Sequence, residues 1–161
     1  MPYLGVVPRL PSGSDNVNWI PVDILARIMT EIVEGDCQIE GQWTRYYHLA
    51  NPKTAKWDEL VPIIHEHFST SEKGSSGEKK KIQIVGVDEW LRKLEESSKS
   101  KDLDVARNPA VKLLDFYQDF GKEGMVPILD TKKAQKGSKT MRELSPVKLE
   151  WMKLWLAQWS F

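Results

Sequence analysis

Val17-Asn18-Trp19-Ile20-Pro21-Val22-Asp23, running on into Ile24-Leu25-Ala26-Arg27-Ile28-Met29, decides how this chain is read. Trp19 and Ile20 close a strand-like apolar run, and Pro21 suits the approach to a helix but not its interior. Asp23 falls in the first turn, where a carboxylate can accept hydrogen bonds from N–H groups that lack intrahelical partners. Behind it, Leu25, Ile28, Met29, Ile32 and Val33 recur at i, i+3, i+4, i+7 and i+8, the spacing of one buried helical face. The stretch predicts a strand end, a turn and a helix over about 22–34.

Upstream, residues 1–18 hold Pro2, Pro8, Pro11, Gly5 and Gly13 and predict an extended entry segment. Downstream, Gly35 stops the first helix, and Trp43 to Ala50 is rich in strand formers up to Asn51-Pro52. A second helix is predicted over about 57–68, with Leu60, Ile63, Ile64 and His67 or Phe68 inward. Pro62 inside it costs a backbone hydrogen bond unless it lies in the first turn or two. Ser69 to Lys81 has the composition of a flexible loop.

Lys81 to Val85 alternates like a strand, and Asp88 caps a helix with Trp90, Leu91 and Leu94 inward. Asn108-Pro109 opens another helix over Ala110, Leu113, Leu114 and Tyr117, ended by Gly121. Val126 to Leu129 reads as a short extended piece. Ser145-Pro146 opens a last helix with Met152, Trp155, Leu156 and Trp159 inward. The fold class is therefore α/β but mostly helical, with too few strands for a parallel sheet covered on both faces. Residues 1–161 read as one subdomain that leans on a sheet supplied elsewhere.

Twenty-three basic and 23 acidic residues leave no net charge to draw the chain to nucleic acid or to an acidic membrane. No apolar run is long enough to span a bilayer, and the first residues lack the pattern of a signal peptide. The lone Cys37 has no internal partner, which fits a reducing compartment and a cytoplasmic setting. The seven tryptophans sit near element starts or on helical stripes, where core packing is the expected use.

Four segments carry a family resemblance: Val17 to Asp23, Tyr47-His48-Leu49-Ala50-Asn51-Pro52, Asn108-Pro109-Ala110-Val111-Lys112-Leu113-Leu114-Asp115-Phe116, and Ser145 to Met152 with the ending at Phe161. Together, and in this order, they resemble the C-terminal part of thioester reductase domains. Those are extended short-chain dehydrogenases that terminate adenylate-forming enzymes of the α-aminoadipate-reductase-like and non-ribosomal-peptide-synthetase-like kinds. The resemblance implies the C-terminal, substrate-binding lobe of such a dehydrogenase, with no complete Rossmann sheet. It implies a role beside NADPH in reducing a thioester on a carrier domain's phosphopantetheine arm to an aldehyde or alcohol.

The family's chemistry needs a nucleotide-binding Gly-rich turn and a Tyr with a Lys four residues on. Tyr3, Tyr46, Tyr47 and Tyr117 are followed at that distance by Val7, Ala50, Asn51 and Gly121, so the pair is absent. Gly74 and Gly77 lie in a polar loop, and Gly121 and Gly124 follow a helix; neither pair makes a strand-turn-helix for a pyrophosphate. No catalytic residue and no cofactor-binding residue is therefore expected in this chain, whose start falls downstream of the chemistry. The expected partners are the missing nucleotide-binding half and a phosphopantetheinylated carrier domain. An apolar face left without its cover gives the isolated lobe a route to a homodimer.

Trp19, Pro21 and Asp23 are the candidate substrate-binding residues, because in the resembling family this turn lies near the substrate cleft. The plainer use of Asp23 is as a helix cap. His65 and His67 stand roughly 200° apart around a helix, so they cannot share a metal ion from one face. His48 fits a packed, hydrogen-bonded residue better than a ligand. Two rival readings are a stand-alone interaction module that binds a carrier or other partner, and a nucleotide-sugar epimerase of the same superfamily.

Overall fold

The computed structural model describes residues 2–36, 44–71, 82–100, 104–106, 108–120 and 128–159. In chain order a single 3-10 turn (Pro2–Leu4) leads to β1 (Val6–Arg9), β2 (Asn16–Val17), α1 (Val22–Asp36), β3 (Ala55–Lys56) and α2 (Trp57–Ser71). Then come β4 (Gln83–Gly86), α3 (Val87–Ser98), a 3-10 turn (Pro109–Leu113), α4 (Leu114–Phe120), α5 (Lys132–Gly137), α6 (Lys139–Glu143) and α7 (Leu149–Trp159). The protein is mostly helical, and its strands form two two-stranded ladders, β1 with β4 and β2 with β3. Among the described residues no helix is long and apolar enough to cross a membrane. Expectations that fall on Cys37, Trp43, the loop beyond Ser71, Gly121 and Val126 lie outside the described residues.

The chain divides into two compact units. One comprises Met1–Asp15, Lys56–Val126 and Leu149–Phe161. Its β1 runs parallel to β4, with Val6 opposite Gln83 and Val7 opposite Ile84. Pro8 made this segment read as an extended entry rather than a strand. A two-stranded ladder has only edges, and an edge tolerates a residue without an N–H. Val6 and Val7 are buried, and the indole N–H of Trp57 donates to the Pro8 carbonyl at 2.8 Å, fixing the start of α2 against β1.

Along α2, Leu60, Ile63, Ile64 and Phe68 are buried, as the spacing predicts, and Val61 is buried with them, while Pro62 stays on the exposed side of the second turn. Helix α7 packs on α2 and buries Met152 and Leu156. It begins at Leu149, not directly at the Ser145-Pro146 signal, and Trp159 is exposed rather than inward. On the other side of β1, Trp90 and Leu94 of α3 bury against Val6, with Ala110, Leu114 and Tyr117 packed around them. The Trp90 and Tyr117 rings meet edge to face at 4.9 Å. Asn108 is buried but does not cap the following turn; its amide donates to Ser97 Oγ at 3.0 Å. Leu113, expected inward, is exposed.

The second unit comprises Asn16–Ala55 and Pro127–Lys148. Its core is Val17, Ile28, Ile32, Ala55, Ala134, Met141, Leu144 and Val147. Helices α5 and α6 escape a sequence reading because they are only 6 and 5 residues long, too short to display a period. Helix α1 buries Ile28 and Ile32, but Met29 and Val33 are 52% and 60% exposed. The strand expected over Trp43–Ala50 is not formed across the described residues 44–50, since a strand needs a partner and none pairs with it.

Candidate functional site

Trp19, Pro21 and Asp23 stand together at the entry to α1, all within the second unit. The Leu25 N–H donates to the Pro21 carbonyl at 2.8 Å, so the helical hydrogen bonds begin at that proline. Trp19 is 40% exposed, Pro21 is half-buried and Asp23 lies in solvent. Asp23 stands in the first turn of α1, on its solvent side. An exposed indole, a proline edge and a carboxylate in a fixed turn can line a wall.

What fixes this turn is Asn51, which is 3% exposed. Its backbone N–H donates to the Asn18 carbonyl at 2.8 Å. Its side-chain amide donates to the Trp19 carbonyl at 3.3 Å and to the Ser145 carbonyl at 2.8 Å, and its Oδ1 accepts from the Lys53 N–H at 3.0 Å. Two carbonyls face the NH₂ and one N–H faces the oxygen, so the amide can point only one way. One side chain thus joins three of the four family-like segments. The sequence flagged Asn51 as the end of a strand before proline. Its bridging role depends on partners 32 and 94 positions away, which no local pattern reveals.

A second polar knot holds α1 to α5 and α6. Glu31 Oε2 accepts from the Ser138 hydroxyl at 2.5 Å and from the Thr140 N–H at 3.0 Å, and Oε1 accepts from the Thr140 hydroxyl at 2.5 Å. Ser138 is fully buried, and its Oγ also accepts from the Met141 N–H, capping α6. The hydrogen bond from Ser138, then those from the Thr140 side chain and backbone, pull the Glu31 carboxyl down to about 2. A carboxylate so stabilised as an anion is a structural clamp and a poor proton donor.

His48 and His65 are likewise tied to structure. His48 Nδ1 lies 3.1 Å from the Asp130 carbonyl and His65 Nε2 lies 3.0 Å from the Ile82 carbonyl, so each of these nitrogens carries the proton and donates. Among the described residues no three His, Cys, Asp or Glu side chains gather as metal ligands. The Lys133 ammonium sits 4.6 Å from the centroid of the Tyr47 ring, over its face. That is a cation–π contact, not a lysine tuning a phenol for proton transfer. A shallow depression in the first unit, lined by Ile63, Glu66, His67, Lys153 and Leu156, is open to water and has no enclosed apolar wall.

Comparison with known proteins places these features beside a set of relatives. The chain is 35% identical over 167 residues to a carboxylic acid reductase of Neurospora crassa, a match covering 99% of the chain and 15% of that protein. It is 30% identical over 163 residues to a 3-methylorcinaldehyde synthase of Phoma sp, covering 97% of the chain and 6% of the synthase. With the adenylate-forming reductase Nps11 of Serpula lacrymans it shares 25% identity over 170 residues, covering 94% of the chain and 14% of Nps11. No family model matches. These matches to short parts of reductases and synthases are consistent with a C-terminal reductase domain, which the four motifs also resemble. The chain spans about a seventh or less of these relatives.

Proposed function

We propose that this chain is the substrate-side, carrier-facing lobe of an NADPH-dependent reductase. The complete enzyme would release an acyl group from the phosphopantetheine thioester of a carrier domain as an aldehyde or alcohol. The supporting observation is the match along 99% of the chain to a short part of a carboxylic acid reductase. In this reading Trp19, Pro21 and Asp23 form part of the acyl cleft wall, and Asn51 holds their turn in register with the chain at Ser145.

The residues described do not fit a bound NADPH. The sequence has no Tyr-x-x-x-Lys, among the described residues no Gly-rich turn joins a strand to a helix, and Lys133 covers the Tyr47 ring face. The nucleotide and the proton-donating tyrosine would come from the other half of the reductase. This lobe contributes shape, exclusion of water and the surface met by the carrier.

The test is a chimera in which this chain replaces the matching segment of the Neurospora crassa carboxylic acid reductase. Retained NADPH-dependent reduction, with Trp19→Ala changing KM for the acyl group more than for NADPH, supports the reading. A folded chimera that binds NADPH but reduces nothing overturns it.

A further inference from the structure

Along residues 44–49 of the second unit, Thr44, Tyr46 and His48 are exposed, while Arg45, Tyr47 and Leu49 are half-buried. That alternation is the period of extended backbone, so Tyr46 and His48 share the solvent face, about 7 Å apart. The imidazole of His48 is held in place, with Nδ1 3.1 Å from the Asp130 carbonyl. A carbonyl oxygen can only accept, so Nδ1 carries the proton and Nε2 of the neutral ring keeps its lone pair. Among the described residues nothing hydrogen-bonds to that Nε2. The same bond brings Asp130 to this segment, and just before it Ile128 and Leu129 are 88% and 43% exposed, beside a Tyr46 that is 79% exposed. Further along, the Asn51 amide donates to the Trp19 and Ser145 carbonyls, so the segment that carries the imidazole is anchored to the turn before α1.

We propose that His48 is a specificity-determining residue of the acyl site. Its Nε2 accepts a hydrogen bond from a hydroxyl carried by an otherwise apolar acyl group, and that group lies over Tyr46, Ile128 and Leu129. On the reading of this chain as the substrate-side lobe of a reductase, on which the assignment rests, this face selects the substrate class. One phenol ring and two aliphatic side chains in water favour an apolar group that covers them. A lone pair at a fixed position favours a group that brings a donor to it, and gains nothing from the same group capped as a methyl ether. The ring cannot turn its N–H outward without losing the bond to Asp130, so the preference for a donor is set by the backbone.

The test uses the chimera with the Neurospora crassa carboxylic acid reductase, given aromatic and aliphatic acyl thioesters of pantetheine in matched pairs, each hydroxyacyl group beside its methyl ether. The chimera should show the higher kcat/KM for the hydroxyacyl member of at least one pair. His48→Asn keeps an amide N–H near the place of Nδ1, and with it the bond to Asp130, but has no acceptor where Nε2 stood. In that variant the hydroxyl-to-ether ratio should fall by about three- to tenfold, the range of one hydrogen bond between neutral groups. His48→Gln brings an amide oxygen to the place of Nε2 and should restore most of the ratio. A merely structural histidine would move both members of a pair together. The ratio compares two substrates on one protein, so it is read even where a variant lowers the amount of folded enzyme. No hydroxyl preference in any pair, a ratio that His48→Asn leaves unchanged, or one that His48→Gln lowers equally overturns the role of His48 and leaves the reductase reading intact. A chimera that binds NADPH but reduces no thioester overturns the reading itself.

Discussion

The side-chain amide of Asn51 donates a 2.8 Å hydrogen bond to the carbonyl of Ser145, 94 positions further along the chain, and the same NH₂ reaches back to the carbonyl of Trp19. Asn51 is therefore a clip between segments that are remote in sequence, and its burial makes replacement costly. Asn51→Ala should lower stability by about 1–2 kcal/mol, since two part-buried carbonyls and the Lys53 N–H lose their partner. Asn51→Asp, nearly isosteric, should cost more at neutral pH, because it turns a carboxylate oxygen toward two carbonyls. Urea denaturation of the three proteins checks the order.

Glu31 gives the fold a defined acid sensitivity. Its carboxyl is held at about 2 in the folded chain against an ordinary value near 4.5, so the unfolded state binds the proton first as pH falls. The contribution is complete above about pH 4.5 and is lost progressively as pH drops toward 2. Glu31→Gln should therefore be less stable than the wild-type chain at pH 7, with the gap narrowing across that window. Thermal melts of both proteins at pH 7, 4 and 3 measure it. A constant gap would mean that Ser138 and Thr140 do not select the anion.

Two buried tryptophans should respond differently to the same change. Trp57 donates to the Pro8 carbonyl at 2.8 Å, whereas the buried Nε1 of Trp90 has no partner. Trp57→Phe should cost about 1 kcal/mol or more beyond the loss of packing, because it orphans an acceptor. Trp90→Phe removes an unsatisfied donor and keeps the edge-to-face contact with Tyr117, so its cost should be the smaller of the two. The two variants in parallel denaturant titrations decide the point.

Pro62 offers a stabilising change. It sits in the second turn of α2 on the exposed side, where its ring denies the Asp58 carbonyl an i+4 donor. Pro62→Ala restores that bond and should raise stability by about 1 kcal/mol or more, read as a higher melting temperature. An unchanged or lower value would show that the proline's limit on the unfolded chain outweighs the missing bond.

The helices with long apolar periods were legible in the sequence. Leu60, Ile63, Ile64 and Phe68 on α2, and Met152 and Leu156 on α7, are buried where the spacing places them. Periodicity could not choose between the two apolar stripes of α1. It grouped Met29 and Val33 with Ile28 and Ile32, although only the latter pair has a covering layer within the unit. Strand β1 was hidden by Pro8, and α5 and α6 by their brevity. Trp19, Pro21 and Asp23 were legible as a turn entering a helix. The residue that holds that turn, Asn51, was not, because its partners are set by tertiary placement rather than by neighbours.

On the proposed reading, this chain supplies a wall to a reductase whose nucleotide and proton donor lie elsewhere. The decisive measurement is calorimetric titration of NADPH into the isolated chain and into the carboxylic acid reductase chimera under the same conditions. The prediction is no measurable heat of binding to the isolated chain and saturable binding to the chimera. Micromolar affinity in the isolated chain would contradict the claim, because it would place a nucleotide site within these 161 residues.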